Sequence, residues 1–291
     1  MKVVLIFNPK AGGTKTVLPS ENQLREAFRL NFEGGDLQIR PTRYARHAVQ
    51  LAEEAVRDHA DVCIAAGGDG TMNEVATGLL GSNTALGLIP LGSGNGLARH
   101  LGISMDPMEA FLSGLKGKRS NMDVGQLNEG LFFMAAGFGF EGEVAHEFAS
   151  AGSRGFLNYL LSSLKVWGRY RPVVVWERGN PESKAYFSVT FANGSQYGNN
   201  ARIAPGALID DGLLQWIRIR PFSTWRLPWF TFQLMNGSLS ESRYYKTDPF
   251  TSLHLQLSGT TPGHIDGEPI MLGPDVDVQI LPGALWVQTP I

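Results

Sequence analysis

Up to about residue 125, short apolar runs alternate with segments whose apolar positions recur every three or four residues. Val3-Val4-Leu5-Ile6-Phe7, Leu37-Gln38-Ile39, Val62-Cys63-Ile64-Ala65-Ala66 and Leu86-Gly87-Leu88-Ile89 read as strands. Between them, residues 20–30, 45–58 and 72–80 read as helices. In the second helix Ala48, Leu51, Ala52, Ala55 and Val56 form an i, i+3, i+4 stripe with charges between them. Strands alternating with helices predict a parallel sheet covered on both faces.

Beyond about residue 125 the period shortens. Residues 131–134, 173–176, 186–191, 213–219, 253–257 and 276–280 read as strands, several with the apolar–polar alternation of half-buried antiparallel sheet. Helical insertions are expected over 141–149, 155–166 and 224–235. The predicted fold class is an α/β, parallel-sheet N-terminal domain over residues 1–125, followed by a β-rich antiparallel sandwich over 126–291. The boundary is soft, since the last strands are free to return toward the first domain. The cleft between the domains is the default ligand site.

Composition narrows the function classes. A chain of 291 residues suggests two domains at roughly 100–200 residues each. With 43% hydrophobic and 18% charged residues it can build a sizeable core, which excludes a disordered tail or a coiled coil. Twenty-five basic against 27 acidic residues leave no surplus to neutralise a nucleic-acid backbone, so no nucleic-acid partner is expected. The single cysteine, Cys63, permits neither an internal disulfide nor a cysteine zinc cluster, which fits a reducing compartment. The opening MKVVLIFNPK reads as a first strand and not a signal peptide, because no cleavage pattern follows. No apolar run approaches the roughly 18 residues of a membrane span. The expectation is a soluble, cytoplasmic protein.

The glycines point to chemistry. Gly67-Gly68-Asp69-Gly70-Thr71 lies directly after one buried strand and before a helix, at the strand end where open α/β sheets bind ligands. Glycine lets the backbone approach a phosphate, and N–H groups at a helix start attract anions. Alone, the segment reads equally well as a tight turn capped by Asp69. Gly92-Ser93-Gly94-Asn95-Gly96 follows the next strand, however, and Asn8-Pro9-Lys10-Ala11-Gly12-Gly13 follows the first. Three such loops on one sheet edge favour a nucleotide phosphate site.

Familiar alternatives fail on spacing. No Gly-x-x-x-x-Gly-Lys-Ser/Thr loop and no protein-kinase signature occurs. Gly137-Phe138-Gly139-Phe140-Glu141-Gly142 matches Gly-x-Gly-x-x-Gly, but no acidic residue follows about 20 positions on, so it reads as a packing turn. In the second domain Asp210-Asp211-Gly212-Leu213 sets two carboxylates in a turn beside backbone carbonyls. Oxygen ligands of that kind suit Mg²⁺, although Asp-Gly is also an ordinary turn former. Asp266-Gly267-Glu268-Pro269 reads alone as a hairpin turn.

Taken in order, Asn-Pro-x-x-Gly at Asn8, Gly-Gly-Asp-Gly-Thr at Gly67, Pro-Leu-Gly-Ser-Gly-Asn at Pro90, Asp-Asp-Gly-Leu-Leu at Asp210 and Asp-Gly-Glu-Pro at Asp266 resemble the diacylglycerol kinase catalytic-domain superfamily. That superfamily joins bacterial soluble lipid kinases with eukaryotic diacylglycerol, ceramide and sphingosine kinases. NAD kinases and phosphofructokinases share Gly-Gly-Asp-Gly more distantly. The resemblance spans residues 8–269. It implies ATP in the interdomain cleft and transfer of its γ-phosphoryl to a lipid hydroxyl. By matching position, Gly67, Gly68, Asp69, Gly70, Thr71, Met72 and Asn73 would wrap the ATP phosphates. Thr42 and Ser93 would also touch the nucleotide, and Asn8, Gly92 and Asn95 lie in the matching loops. The carbonyls of Leu208 and Leu213 and the side chain of Asp211 match a magnesium site. Glu268 holds the acid/base position, with Asp69 and Asp266 assigned that role in some relatives.

The resemblance further implies a lipid substrate and transient contact with a membrane surface by a cytoplasmic protein; a homodimer is left open. Lys10, Lys15 and Arg99 could bring positive charge to the phosphates but read equally as solvated surface residues. The aromatic segment Trp225-Arg226-Leu227-Pro228-Trp229-Phe230-Thr231-Phe232 reads as core or, alternatively, as a lipid-entry wall or membrane contact. Two other functions stay open: a kinase for a soluble metabolite such as NAD, and a nucleotide- or lipid-binding regulator without catalysis. Complete acidic motifs favour the lipid kinase.

Overall fold

The computed structural model describes residues 1–11, 17–151, 156–179, 181–197 and 201–291. Gly12, Gly13, Lys15 and the expected helix start at Gly155 lie outside them. The chain forms two compact units, Met1–Met122 with Gly283–Ile291, and Asp123–Pro282.

The first unit is built from β1 (Lys2–Phe7), α1 (Glu21–Asn31), β2 (Asp36–Pro41), α2 (His47–Arg57), β3 (Val62–Gly67), α3 (Asp69–Leu79), β4 (Ala85–Pro90), α4 (Gly96–His100) and α5 (Pro107–Lys116). The strands run parallel in the order β2-β1-β3-β4. β3 and β4 are buried along their whole length, as continuous apolar runs in a two-face-covered sheet must be. Helix starts follow local chemistry. Ser20 and Gln23 form a capping box at α1, and Asp106 accepts the Met108 and Glu109 amides ahead of Pro107 at α5. α2 has no cap of its own. Glu74 of α3 supplies one, its two carboxylate oxygens accepting the amides of Arg46 (3.0 Å) and Ala48 (3.2 Å). This delays α2 to His47, two residues after its sequence pattern begins.

In the second unit lie the second half of β5 (Lys118–Leu127), β6 (Gly130–Phe132), β7 (Ala135–Gly139), α6 (Phe140–Ser150), α7 (Phe156–Trp167), β8 (Val173–Glu177), β9 (Ser183–Tyr186), β10 (Ser188–Ala192) and β11 (Leu214–Ile219). A 3-10 turn (Thr224–Arg226), α8 (Leu227–Asn236), β12 (Tyr245–Phe250), β13 (Ser252–Leu257), β14 (Thr261–Ile265), β15 (Glu268–Leu272) and β16 (Asp275–Thr289) complete the chain. Six strands, β12-β11-β10-β7-β14-β15, form one antiparallel sheet. β9-β8-β13-β16 forms a second antiparallel set. Phe138, Phe191, Leu214 and Trp216 of the first meet Val175, Leu255, Leu257, Val276 and Val278 of the second. This is the expected antiparallel sandwich on an apolar interior, each fully buried large side chain contributing about 1.5–3 kcal/mol. β16 ends in the first unit, where Val287 pairs in parallel with Leu86 of β4.

Two expected elements are divided. The run 131–134 is broken between β6 and β7, because the amides of Phe133, Met134 and Ala135 turn to the carboxylate of Asp266. The run 186–191 breaks at Phe187, whose N–H donates to Ile219 and whose carbonyl accepts from Phe140. The aromatic segment 225–232 departs from a core reading: Trp225, Trp229 and Phe232 are 73%, 61% and 57% exposed. Phe230 alone of its rings packs inward, on the cluster of Ala192, Ile217 and Tyr245.

Candidate functional site

Parallel register sets the glycine-loop edge of the first unit. Phe7 lies opposite both Pro41 and Ala66, and Gly67 opposite Pro90, so the segments after β1, β2, β3 and β4 all leave from one edge. Asp69 and Asn95 tie two of them together. One carboxylate oxygen of Asp69 accepts the Asn95 amide (2.9 Å) and the other the Gly96 amide (2.7 Å), which caps α4 from α3. The buried Asn95 side chain closes its own loop, accepting the Gly92 amide (3.0 Å) and donating to the Gly92 carbonyl (2.8 Å). The contact demands glycine: a Cβ on Gly92 would stand 2.7 Å from the Cα of Gly68.

Around this clamp, Asn8 donates to the Thr71 hydroxyl (3.4 Å), and the Thr42 amide bonds the Phe7 carbonyl (2.8 Å). α3 starts at Gly68, which offers no side-chain cap to the first-turn amides. Gly70 and Ser93 are exposed, and Gly68, Asp69 and Asn73 half-buried. An uncapped first turn with two glycine loops pressed against it is suited to an anion such as a phosphate.

The second unit carries the other acidic residues. Asp266 and Gly267 form the two-residue turn of the β14–β15 hairpin, both at positive φ (+47° and +85°), as that turn requires. The Asp266 carboxylate accepts three amides, from Phe133 (2.8 Å), Met134 (2.9 Å) and Ala135 (2.9 Å). Burial pushes this carboxyl above the ordinary carboxylate range, and the three amide donors pull against the rise. Glu268, one residue past the turn, is exposed, and its side chain has no hydrogen-bond or ion-pair partner among the described residues.

A chain of hydrogen bonds links this turn to the loop at residues 208–213. Asp123, 2% exposed, accepts the Gly212 amide (2.7 Å), and its own amide donates to Ile209 (2.8 Å). The fully buried Asn193 donates to the carbonyls of Asp123 (2.8 Å) and Phe133 (2.9 Å). Beneath the turn, buried Glu141 accepts the Thr190 hydroxyl (2.9 Å) and the Tyr197 hydroxyl, and faces His264 Nε2 at 3.5 Å. His264 Nδ1 accepts the Gly267 amide (3.3 Å), which leaves its proton on Nε2, toward Glu141.

Comparison with known proteins decides what this arrangement belongs to. Residues 2–127 match the family described as diacylglycerol kinase catalytic domain, and residues 136–289 match the YegS C-terminal NAD kinase beta sandwich-like domain. The chain belongs to the family of YegS-like probable lipid kinases. Its relatives include a Chromohalobacter salexigens protein named probable lipid kinase YegS-like, 32% identical over 305 residues, covering 98% of this chain and 92% of that protein. A Klebsiella pneumoniae protein of the same name is 32% identical over 298 residues, with 99% and 95% covered. In fold the chain is similar to a crystal structure described as a diacylglycerol kinase from Bacillus anthracis str. Sterne (TM-score 0.75, 21% identity, 99% and 96% covered).

Within this kinase family the residues expected from sequence divide by role. Asn8, Thr42, Gly67, Gly68, Asp69, Gly70, Thr71, Asn73, Gly92, Ser93 and Asn95 gather at one sheet edge. Met72 differs: its side chain is fully buried and its amide is spent on the Gly68 carbonyl, so it serves by packing. Lys10 is exposed, whereas Arg99 is committed to the Gly94 carbonyl (3.0 Å). The carboxylates of Asp69 and Asp266 accept amides of neighbouring loops, whereas Glu268 is exposed. Gly137 explains the Gly-x-Gly-x-x-Gly match as packing, since a Cβ there would meet a Glu141 carboxylate oxygen at 1.9 Å.

The loop with Leu208, Asp211 and Leu213 fits a hard divalent cation. Its donors are all oxygens, two main-chain carbonyls and one carboxylate, and Asp211 is exposed. Asp211 also accepts the Leu213 amide (3.0 Å), which holds the loop in shape. No cluster of three or more His, Cys, Asp or Glu side chains competes with it among the described residues. The sequence reading missed Asp123, Glu141, Asn193 and His264. The available signal was polar residues standing inside apolar strand runs, as Asn193 does after Phe191-Ala192.

Proposed function

We propose that this protein transfers the γ-phosphoryl group of ATP, with Mg²⁺, to the hydroxyl of a lipid such as diacylglycerol or a sphingoid base. What carries the reading is the exposed Glu268 beside a turn braced by Asp266, in a chain aligned almost end to end with relatives named probable lipid kinase. The glycine loops at Gly67 and Gly92 and the first turn of α3 supply amides for the phosphates. Leu208, Asp211 and Leu213 would hold Mg²⁺, which when bound neutralises phosphate charge. Glu268 accepts the proton of the lipid hydroxyl as its oxygen bonds to the γ-phosphorus and the bond from that phosphorus to the β–γ bridging oxygen of ATP breaks. The products are a lipid phosphate and ADP.

The test is transfer of radiolabelled γ-phosphate to diacylglycerol, sphingosine, ceramide, phosphatidylglycerol and NAD, the lipids in mixed micelles. Label in a lipid, lost on magnesium removal, is expected. Label in NAD alone would make the protein a metabolite kinase, and ATP binding without any transfer would make it a regulator.

A further inference from the structure

We infer that the 3-10 turn and α8 form a docking surface for an anionic phospholipid bilayer. The surface deepens the lipid-kinase reading, for which it would be the route to a substrate held in a membrane.

The argument starts from a helix facing the wrong way. Leu227–Asn236 has an apolar sequence, LPWFTFQLMN, yet none of its residues is buried. Phe230 and Leu234 rest partly buried on the core cluster of Ile217, Ile219 and Tyr245, and so define its inner face. Trp225, Trp229 and Phe232, spaced four and three residues apart, lie outward and exposed. The Trp229 and Phe232 rings stack on each other with centroids 5.8 Å apart. Behind them Phe222 stacks on Phe230 (5.4 Å) and touches Trp167 of α7 (5.6 Å), so the exposed rings stand on a packed aromatic base.

Charge selects the occupant. From residue 212 to 240 the chain carries Arg218, Arg220 and Arg226 and no Asp or Glu. Arg218 is paired with Asp248. Arg220, Arg226, Arg202 and Arg243 have no ion-pair partner among the described residues. Arg226 lies over the Trp225 ring (4.3 Å), at the start of α8. At its other end, the Arg202 amide donates to Leu234 and the Arg202 side chain lies beside Gly237. Tryptophans on one face, with arginines at both ends and no carboxylate between, match a bilayer interface whose headgroups are anionic. A second copy of this chain, itself carrying the same arginines, would bring like charges together.

The experiment uses the full chain and vesicles of phosphatidylcholine alone or with one quarter phosphatidylglycerol. Co-sedimentation with the anionic vesicles, a blue shift of tryptophan emission and weakening by salt are expected. Trp229→Gln/Phe232→Gln should lower the partition at least tenfold while keeping the wild-type circular dichroism. It should also retain, within about twofold, phosphoryl transfer to a short-chain diacylglycerol dispersed as monomers. Arg220→Gln/Arg243→Gln should lose the preference for anionic vesicles, and reads out the surface should the aromatic variant not fold. Absence of binding by the wild type, or equal binding by both variants, overturns the surface. So does a concentration-dependent dimer that the aromatic variant abolishes without vesicle binding. Vesicle binding without lipid phosphorylation keeps the surface and removes the kinase reading. Lipid phosphorylation in micelles without vesicle binding does the reverse.

Discussion

Asp69 and Glu268, two acids that the sequence treats as alternatives for one role, live in opposite circumstances. Both oxygens of Asp69 are engaged by amides of the neighbouring glycine loop, whereas the Glu268 side chain has no partner among the described residues. Glu268→Gln should therefore lower kcat by about 10²–10⁴ while the KM for ATP stays within about twofold. A loss seen only in KM would assign Glu268 to binding. Cys63 gives a second residue-scale check. It is fully buried in β3, and burial pushes its thiol up to about 12. At mildly alkaline pH the folded protein should resist alkylation by iodoacetamide and react only in denaturant. Labelling of the native protein would show that β3 opens. At this scale Glu268 and Asp69 were legible because they stand in motifs. Asp123 and Glu141 were not, because each is defined by partners far along the chain: the Gly212 amide for one, Thr190 and His264 for the other.

Elements were legible where burial is one-sided or complete. β1, β3 and β4 announced themselves as apolar runs, and α2 by its stripe of Ala48, Leu51, Ala52 and Ala55. β5, KRSNMDVGQL, and β12, YKTDPF, passed unseen because strand pairing, not apolar content, makes them strands. The contact between the loops of β3–α3 and β4–α4 is an element-scale property resting on Gly68 and Gly92. Gly92→Ala should raise the KM for ATP at least tenfold by parting them, with a smaller change in thermal midpoint. An unaltered KM would show that the loops need not touch. Glu147 of α6 bonds Arg169 just past α7 at 2.7 Å. The guanidinium holds its carboxyl below the ordinary carboxylate range. A depressed carboxyl stabilises the fold above its unfolded pKa and loses that contribution as pH falls through the folded one. Glu147→Gln should accordingly flatten the fall of the thermal midpoint on acidification. An acid limb identical to wild type would mean the pair contributes nothing.

At the scale of the whole molecule, the first unit is closed by residues from the far end of the chain. Val287 pairs with Leu86, and Leu285 and Val287 are buried. Deleting residues 283–291 should lower the urea midpoint of the protein and expose hydrophobic surface to a dye, although every glycine loop remains. Unchanged unfolding would show the last strand to be dispensable.

By itself the amino-acid order determined what is local: the α/β and β-rich halves through their two periodicities, the turns through glycine, and the phosphate-type loops through their place after apolar strands. The tertiary structure decided which acids are free and which are spent. It bound Asp266 to three amides, capped α4 with Asp69, joined the 208–213 loop to the Asp266 turn through Asn193, and left Trp225 and Trp229 outside. The reason is physical. A hydrogen bond's worth depends on burial and on a partner that folding brings from elsewhere, while a helix or strand period is written in neighbouring residues.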